Sequence, residues 1–231
     1  MAGGLVNGLT GFGTALTAIG LWLYVLAPPV AATLAILCSV VSQLQTLPVI
    51  WHAIEWRRVL PFILPGLAGV PIGTLLVSKV DAQAFKVGVG LFLVLYTAYA
   101  LLRRKRARRA RGGAIADGVA GLCGGVLGGL AGVSGPPVIL WTDIRGDTKD
   151  YRRSILQTFN LAILGAALIS HAWSGLFTRE VGLAALAAVP GSIAGAWLGA
   201  KIYKRLGDSG FARIVLGLLF LSGVVLIWTS R

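Results

Sequence analysis

The chain has 231 residues, 56% of them hydrophobic and only 13% charged, with a formal net charge of +13. A soluble domain carries roughly 25% charged residues, and the mean hydropathy here is +0.82, so a soluble globular protein is excluded. The positive charge invites a nucleic-acid reading, but the basic residues sit in loops between apolar segments, where anionic lipid headgroups are a sufficient partner and no nucleic acid is expected.

Apolar segments run at about 2–27, 30–51, 58–78, 85–102, 113–141, 153–173, 180–203 and 211–229. Most are near the roughly 20 residues needed to cross ~30 Å of hydrocarbon, which predicts an all-α, multi-pass integral membrane protein. The opening residues (MAGGLVNGLTGFG) lack the charged region of a signal peptide and a longer apolar lead, and the start reads as truncated or misassigned. No Asp, Glu, Lys or Arg occurs between Leu5 and Ala53. The first segment is glycine-rich, with Asn7, Thr10, Thr14 and Thr17 as its polar residues; the second carries Ser39, Ser42, Gln43, Gln45 and Thr46. His52 follows, flanked by Trp51 and Trp56. The third segment holds Pro61, Pro65 and Pro71. From Arg103 to Arg111 seven of nine residues are basic; such a run resists translocation, so it is expected in the cytoplasm. It divides the chain into a first membrane repeat (1–102), a basic linker (103–112) and a second repeat (113–231). The fifth segment carries Asp117 and a dense set of glycines, and the sixth opens at Arg152 and Arg153 and contains Gln157, Thr158 and Asn160. Cys38 and Cys123 lie inside apolar segments, where neither a disulfide nor a metal site is expected.

The halves resemble each other. GLTGFG (Gly8 to Gly13) matches GLAGVSG (Gly129 to Gly135), and Trp22 with Trp141 and His52 with His171 are each 119 positions apart. Pro65-Gly66 with Gly69 and Gly73 echoes Pro190-Gly191 with Gly195 and Gly199. Such a series in order argues for an internal duplication. If every segment crossed fully, the basic loops 143–153 and 201–213 would fall outside; if segments 1 and 5 are re-entrant, both fall inside. Charge therefore favours inverted repeats with broken segments 1 and 5 over parallel repeats. The glycines agree, since each costs about 1 kcal/mol inside a helix, and Pro136-Pro137 cannot continue one.

A Gly-rich first segment, then HAIEWRR (His52 to Arg58), PGLAGVPIG (Pro65 to Gly73), GLAGVSGPP (Gly129 to Pro137) and YRRS (Tyr151 to Ser154) together resemble the sulfite exporter TauE/SafE family, grouped with toluene-sulfonate uptake permeases. The resemblance covers essentially the whole chain. It implies pseudo-symmetric halves and transport of small sulfur-containing anions such as sulfite, sulfoacetate or other sulfonates. One departure stands out: the family's first motif is usually a run of glycines, whereas Phe12 and Thr14 interrupt it here.

A helix that stops within the bilayer leaves unpaired N–H groups and about half a positive charge at its N-terminus. Two such ends facing one midplane cavity make an anion site without buried Lys or Arg. The candidate ends are Gly11, Gly13 and Thr14, and Ser134, Gly135 and Pro136; proline suits a helix's first turn. Close helix packing is the competing role for these glycines. Gln43, Gln157 and Asn160 can donate to a sulfonate oxygen, the alternative being interhelical hydrogen bonds. Arg152 and Arg153 are candidates for a bidentate grip on the anion or for topology markers that snorkel to headgroups. His52, His171 and Asp117 are candidates for proton coupling. Against that, both histidines suit interfacial anchoring, and Asp117 suits a helix N-terminus near Arg111.

There is no catalytic constellation, metal-spaced cluster or nucleotide-binding loop. No enzyme and no cofactor are expected, and transport would be passive or driven by an ion or proton gradient. The expected activity is a secondary transporter, an exporter, in a bacterial inner membrane. An anion channel of the same fold and a membrane scaffold with a recruiting basic loop are the alternatives. The two Gly-x-x-x-Gly pairs suit packing within one chain or in a homodimer.

Overall fold

The computed structural model describes residues 1–10, 13–50, 54–102, 113–145 and 149–203, together with isolated helical positions between 217 and 228. Among them are helices α1 (Ala2–Thr10), α2 (Thr14–Trp22), α3 (Pro28–Ile50), α4 (Trp56–Lys79), α5 (Ala82–Leu102), α6 (Gly113–Ala131), α7 (Gly135–Arg145), α8 (Lys149–Trp173) and α9 (Arg179–Tyr203). Among the described residues there is no strand. Among the described residues, five stretches are long and apolar enough to cross a membrane: Pro28–Gln45, Trp56–Lys79, Gly113–Ala131, Ser154–Trp173 and Arg179–Ile202. The outward faces suit a lipid solvent, since Leu64, Leu75, Leu186 and Trp197 are each about 60–75% exposed.

Local chemistry sets the ends. Pro28 and Pro29 open α3, where a missing N–H costs nothing. The Asp81 carboxylate accepts from the Gln83 and Ala84 amides at 2.9 and 3.1 Å and caps α5. Gly132, at φ +70°, closes α6. Its amide donates to the Gly128 carbonyl at 2.9 Å, the single 5→1 bond of an αL stop, and the Val133 amide donates to the Leu127 carbonyl at 3.2 Å. The chain then turns back, because Trp141 and Arg145 at the far end of α7 both reach Asp117 near the start of α6. At the other end of the sequence, Gly13 takes φ +100° before α2. A methyl group on Gly3 of α1 would lie 2.8 Å from the Thr14 carbonyl oxygen and 3.3 Å from Ala18 Cβ, so α2 also folds back along its predecessor.

Small residues let these hairpins lie close to a full-length helix. In α4 and α6, Phe62 meets Gly121, Gly66 meets Gly125 and Val70 meets Gly129, so the two helices run in the same direction. A Cβ on Gly69 would stand 2.6 Å from the Leu122 carbonyl oxygen, tighter than any side chain tolerates. In the same way Gly4 meets Ser192 and Gly8 meets Ala196 along α1 and α9. Gly69 and Gly73, and Gly195 and Gly199, are thus occupied by contacts within this one chain.

Around these crossings lie two apolar clusters. One holds Ile19, Leu23, Ala31, Ala35, Val77 and Phe85. The other joins α4 to α8 through Phe62, Ile63, Ile155, Phe159 and Ile163.

Candidate functional site

The two hairpin tips meet. A Cβ on Gly132 would lie 3.3 Å from Ala15 Cβ at the start of α2 and 3.1 Å from Ile36 of α3. Beside this contact is a small polar cavity of about 10 Å³. Asn7 of α1, Gly13, Thr14 and Ala15 line it from one hairpin, and Gly132 to Pro136 from the other. Ser39 and Gln43 of α3 and Asn160 and Leu164 of α8 complete the wall. Space of that size holds about one water molecule.

Both short helices point their N-termini at this space. Gly13 precedes α2 without a side-chain cap, so the first-turn amides of α2 keep their donors. At α7 the prolines remove two of these donors, leaving Gly135 and Val138. The Ser134 hydroxyl does not cap α7; it donates to Asn160 Oδ1 at 2.6 Å. That bond takes the amide oxygen and leaves the Asn160 Nδ2 protons for other partners. Asn7 Nδ2 and Oδ1, Thr14 Oγ1 and Ser39 Oγ are buried and have no hydrogen-bond partner among the described residues. An orphaned buried polar group costs about 1–3 kcal/mol, so several of them on one cavity wall mark a place built for a polar guest. Among the described residues no charged side chain lines the cavity.

Of the residues singled out in the sequence, Gly13, Thr14, Gln43, Ser134, Gly135, Pro136 and Asn160 stand together here. Gln157 is buried on α8 but lies off the cavity wall. Gly11 and His52 lie outside the described residues, and Arg152 and Arg153 lie on α8 with side chains outside them. Asn7 and Ser39 were legible as polar residues in apolar segments but were not selected. Ser39 had a usable signal, since it precedes Gln43 by one helical turn and shares its face. The lining by Ala15, Gly132, Val133 and Leu164 had none.

The roles expected for two ionisable residues need correction. Asp117 is not in the first turn of α6, and Arg111 lies outside the described residues. Asp117 sits in the second turn of α6, where Arg145 Nη1 donates at 2.7 Å and Trp141 Nε1 at 2.5 Å. The Arg145 guanidinium also lies 5.8 Å from the centre of the Phe62 ring. His171 is no interfacial anchor, because it is wholly buried. Its Nε2 donates to the Gly129 carbonyl at 2.7 Å, and Nδ1 lies 2.8 Å from Thr33 Oγ1.

Comparison with known proteins agrees with a membrane carrier of this kind. The chain is 27% identical over 232 residues to a protein of Cupriavidus necator named "Probable sulfite/organosulfonate exporter TauE", covering 98% of this chain and 90% of that one. No solved structure matches it. The family model for sulfite exporter TauE/SafE matches residues 1–226. The chain belongs to the sulfite exporter TauE/SafE family.

Proposed function

We propose that this protein is a secondary transporter that exports small sulfur-containing anions, such as sulfite, sulfoacetate or other organosulfonates, by alternating access around the cavity between the hairpin tips. The observation that carries the reading is the wall itself: two helix N-termini and, among the described residues, the unpartnered buried groups of Asn7, Thr14 and Ser39 around one small cavity. Gln43 and Asn160 add amide donors. Oriented N–H dipoles stabilise an anion without a counter-charge that would hold it too tightly to release.

The same reading takes the halves as inverted repeats in the inner membrane, with the 103–111 linker cytoplasmic. Its support is the reciprocal packing of α6 on α4 and of α1 on α9, and the fold-back of α7 on α6, which returns Arg145 to the level of Asp117. A cavity with room for about one water corresponds to a closed form. One or both hairpins must move for a sulfite ion to enter. Because no charged side chain lines the cavity among the described residues and the cost of burying an ion grows as the square of its charge, bisulfite and simple alkylsulfonates should bind more tightly than sulfoacetate, which carries two charges at neutral pH.

The test is flux of labelled sulfite and of an alkylsulfonate in liposomes containing the purified protein. Saturable exchange that sulfate competes for poorly supports the proposal. Unitary currents in a voltage-clamped bilayer would point to a channel, and absence of flux with folded protein would refute transport.

A further inference from the structure

Asp117 and His171 are the buried residues of the usual acid and base types among the described residues, and Arg145 already compensates Asp117. His171 is different. It lies in the last turn of α8, closed to solvent, between α3 and the end of α6.

The hydrogen bonds define what the ring can do. A carbonyl oxygen only accepts, so Nε2 carries a proton toward Gly129 in every state. Nδ1 faces the Thr33 hydroxyl at 2.8 Å, and that hydroxyl is also 2.7 Å from the Pro29 carbonyl. In the neutral ring Thr33 donates to Nδ1. In the imidazolium Nδ1 donates to Thr33, which turns its own proton to Pro29. Either state leaves the ring fully hydrogen-bonded, and the change needs only rotation of one hydroxyl. The bare charge would be costly in such a place, but it falls at the negative end of the α6 dipole. The turn that ends α6 uses the carbonyls of Leu127 and Gly128, and the next carbonyl, that of Gly129, is the one His171 takes.

No charged group stands in bonding distance of the ring among the described residues. Helix α3 has no Asp, Glu, Lys or Arg, and Cys38 is its one ionisable side chain. On α6 the ionisable groups are Asp117, held by Arg145, and the exposed Cys123. The charged residues and Tyr151 of α8 itself lie at its opposite end, the loop 174–178 has no titratable group, and Arg179 and Glu180 of α9 are exposed. The ring therefore ties together α6, whose break at Gly132 forms one wall of the cavity, and α3, whose Ser39 and Gln43 form another.

We propose that His171 is the proton-carrying residue of the transport cycle, binding one proton between the Gly129 carbonyl and the Thr33 hydroxyl in step with occupancy of the cavity. The inference rests on the transporter reading above. Burial in the closed form suits it, since a ring open to water throughout would leak protons. By linkage, whatever the proton does to the α3–α6 tie, occupancy of the cavity does in return to proton affinity.

The test uses liposomes with the membrane potential clamped and an alkylsulfonate as probe, because it stays a monoanion and cannot carry the proton itself. In the wild type a pH gradient should set the steady-state anion ratio at about tenfold per pH unit for one proton per anion. His171→Gln keeps a donor for Gly129 but cannot titrate; it should retain anion exchange while the ratio falls to unity. Gradient-driven accumulation in His171→Gln, or none in a wild type that still exchanges anion, overturns the proposal. A wild type without any exchange would instead refute the transporter reading beneath it. Should His171→Gln not fold, Thr33→Val decides: coupling with an altered pH midpoint supports the role, and an unaltered midpoint overturns it.

Discussion

Removing the Asn160 amide gives the most direct test of the cavity. Its Oδ1 is held by the Ser134 hydroxyl at 2.6 Å, and the residue lines the cavity, so Nδ2 is the donor it can offer an anion. A hydrogen bond to a charged group is worth about 1.5–3 kcal/mol. Asn160→Ala should therefore weaken sulfonate binding about 10- to 150-fold. Ser134→Ala removes the orienting bond but not the donor, so its effect should be smaller. The two residues act as one unit, so the double variant should lose less than the sum, with a coupling of about 0.5–3 kcal/mol. Binding would be read by ligand-induced thermal shift and by isothermal titration in detergent, with ligand-free melting as the check on folding. Ser134→Ala orphans the buried Asn160 oxygen and should lower stability by about 1–3 kcal/mol. Affinity within twofold of wild type in folded Asn160→Ala, or strictly additive effects of the two changes, would refute the reasoning.

The packing makes its own predictions. Gly125 faces the Gly66 backbone directly, so Gly125→Val should force α4 and α6 apart and destabilise by at least about 1–3 kcal/mol, read as a lower melting temperature. Gly118 is the control: a methyl there would lie 3.4 Å from Pro65 Cγ, and Gly118→Ala should be neutral or stabilise by up to about 1 kcal/mol. Asp117→Asn removes the carboxylate charge from the Arg145–Asp117 pair. With the two side chains 11% and 22% exposed, the loss should be about 3 kcal/mol, partly recovered by adding Arg145→Gln; an unchanged melting temperature would deny the pair a structural role. In a background free of Cys38 and Cys123, Ala107→Cys should react with an impermeant maleimide only from the cytoplasmic side, and labelling from outside would reverse the topology.

Much of this protein was legible in one dimension. Charge starvation and the spacing of apolar runs were enough for a multi-pass helical membrane protein, because hydrocarbon accepts few other backbones. Gly132, Ser134 and Pro136-Pro137 announced an interruption, since φ above zero and a missing N–H are local properties that a sequence carries openly. The motifs in order were likewise enough for the family. What the chain could not reveal alone was which polar side chains share a space. Gln157 and Asn160 differ by three positions on one helix, yet only Asn160 reaches the cavity wall; that choice depends on how α8 is rotated against two hairpin tips. Asn7 joins the same wall from 127 residues before Ser134. Asp117 finds Arg145 because α7 folds back along α6. His171 leaves the interface because the end of α6 offers it a bare carbonyl. Hydrophobicity, charge and backbone preference belong to each residue and can be read in order. A hydrogen bond across helices belongs to a pair, and its partner is decided only when packing sets which faces meet.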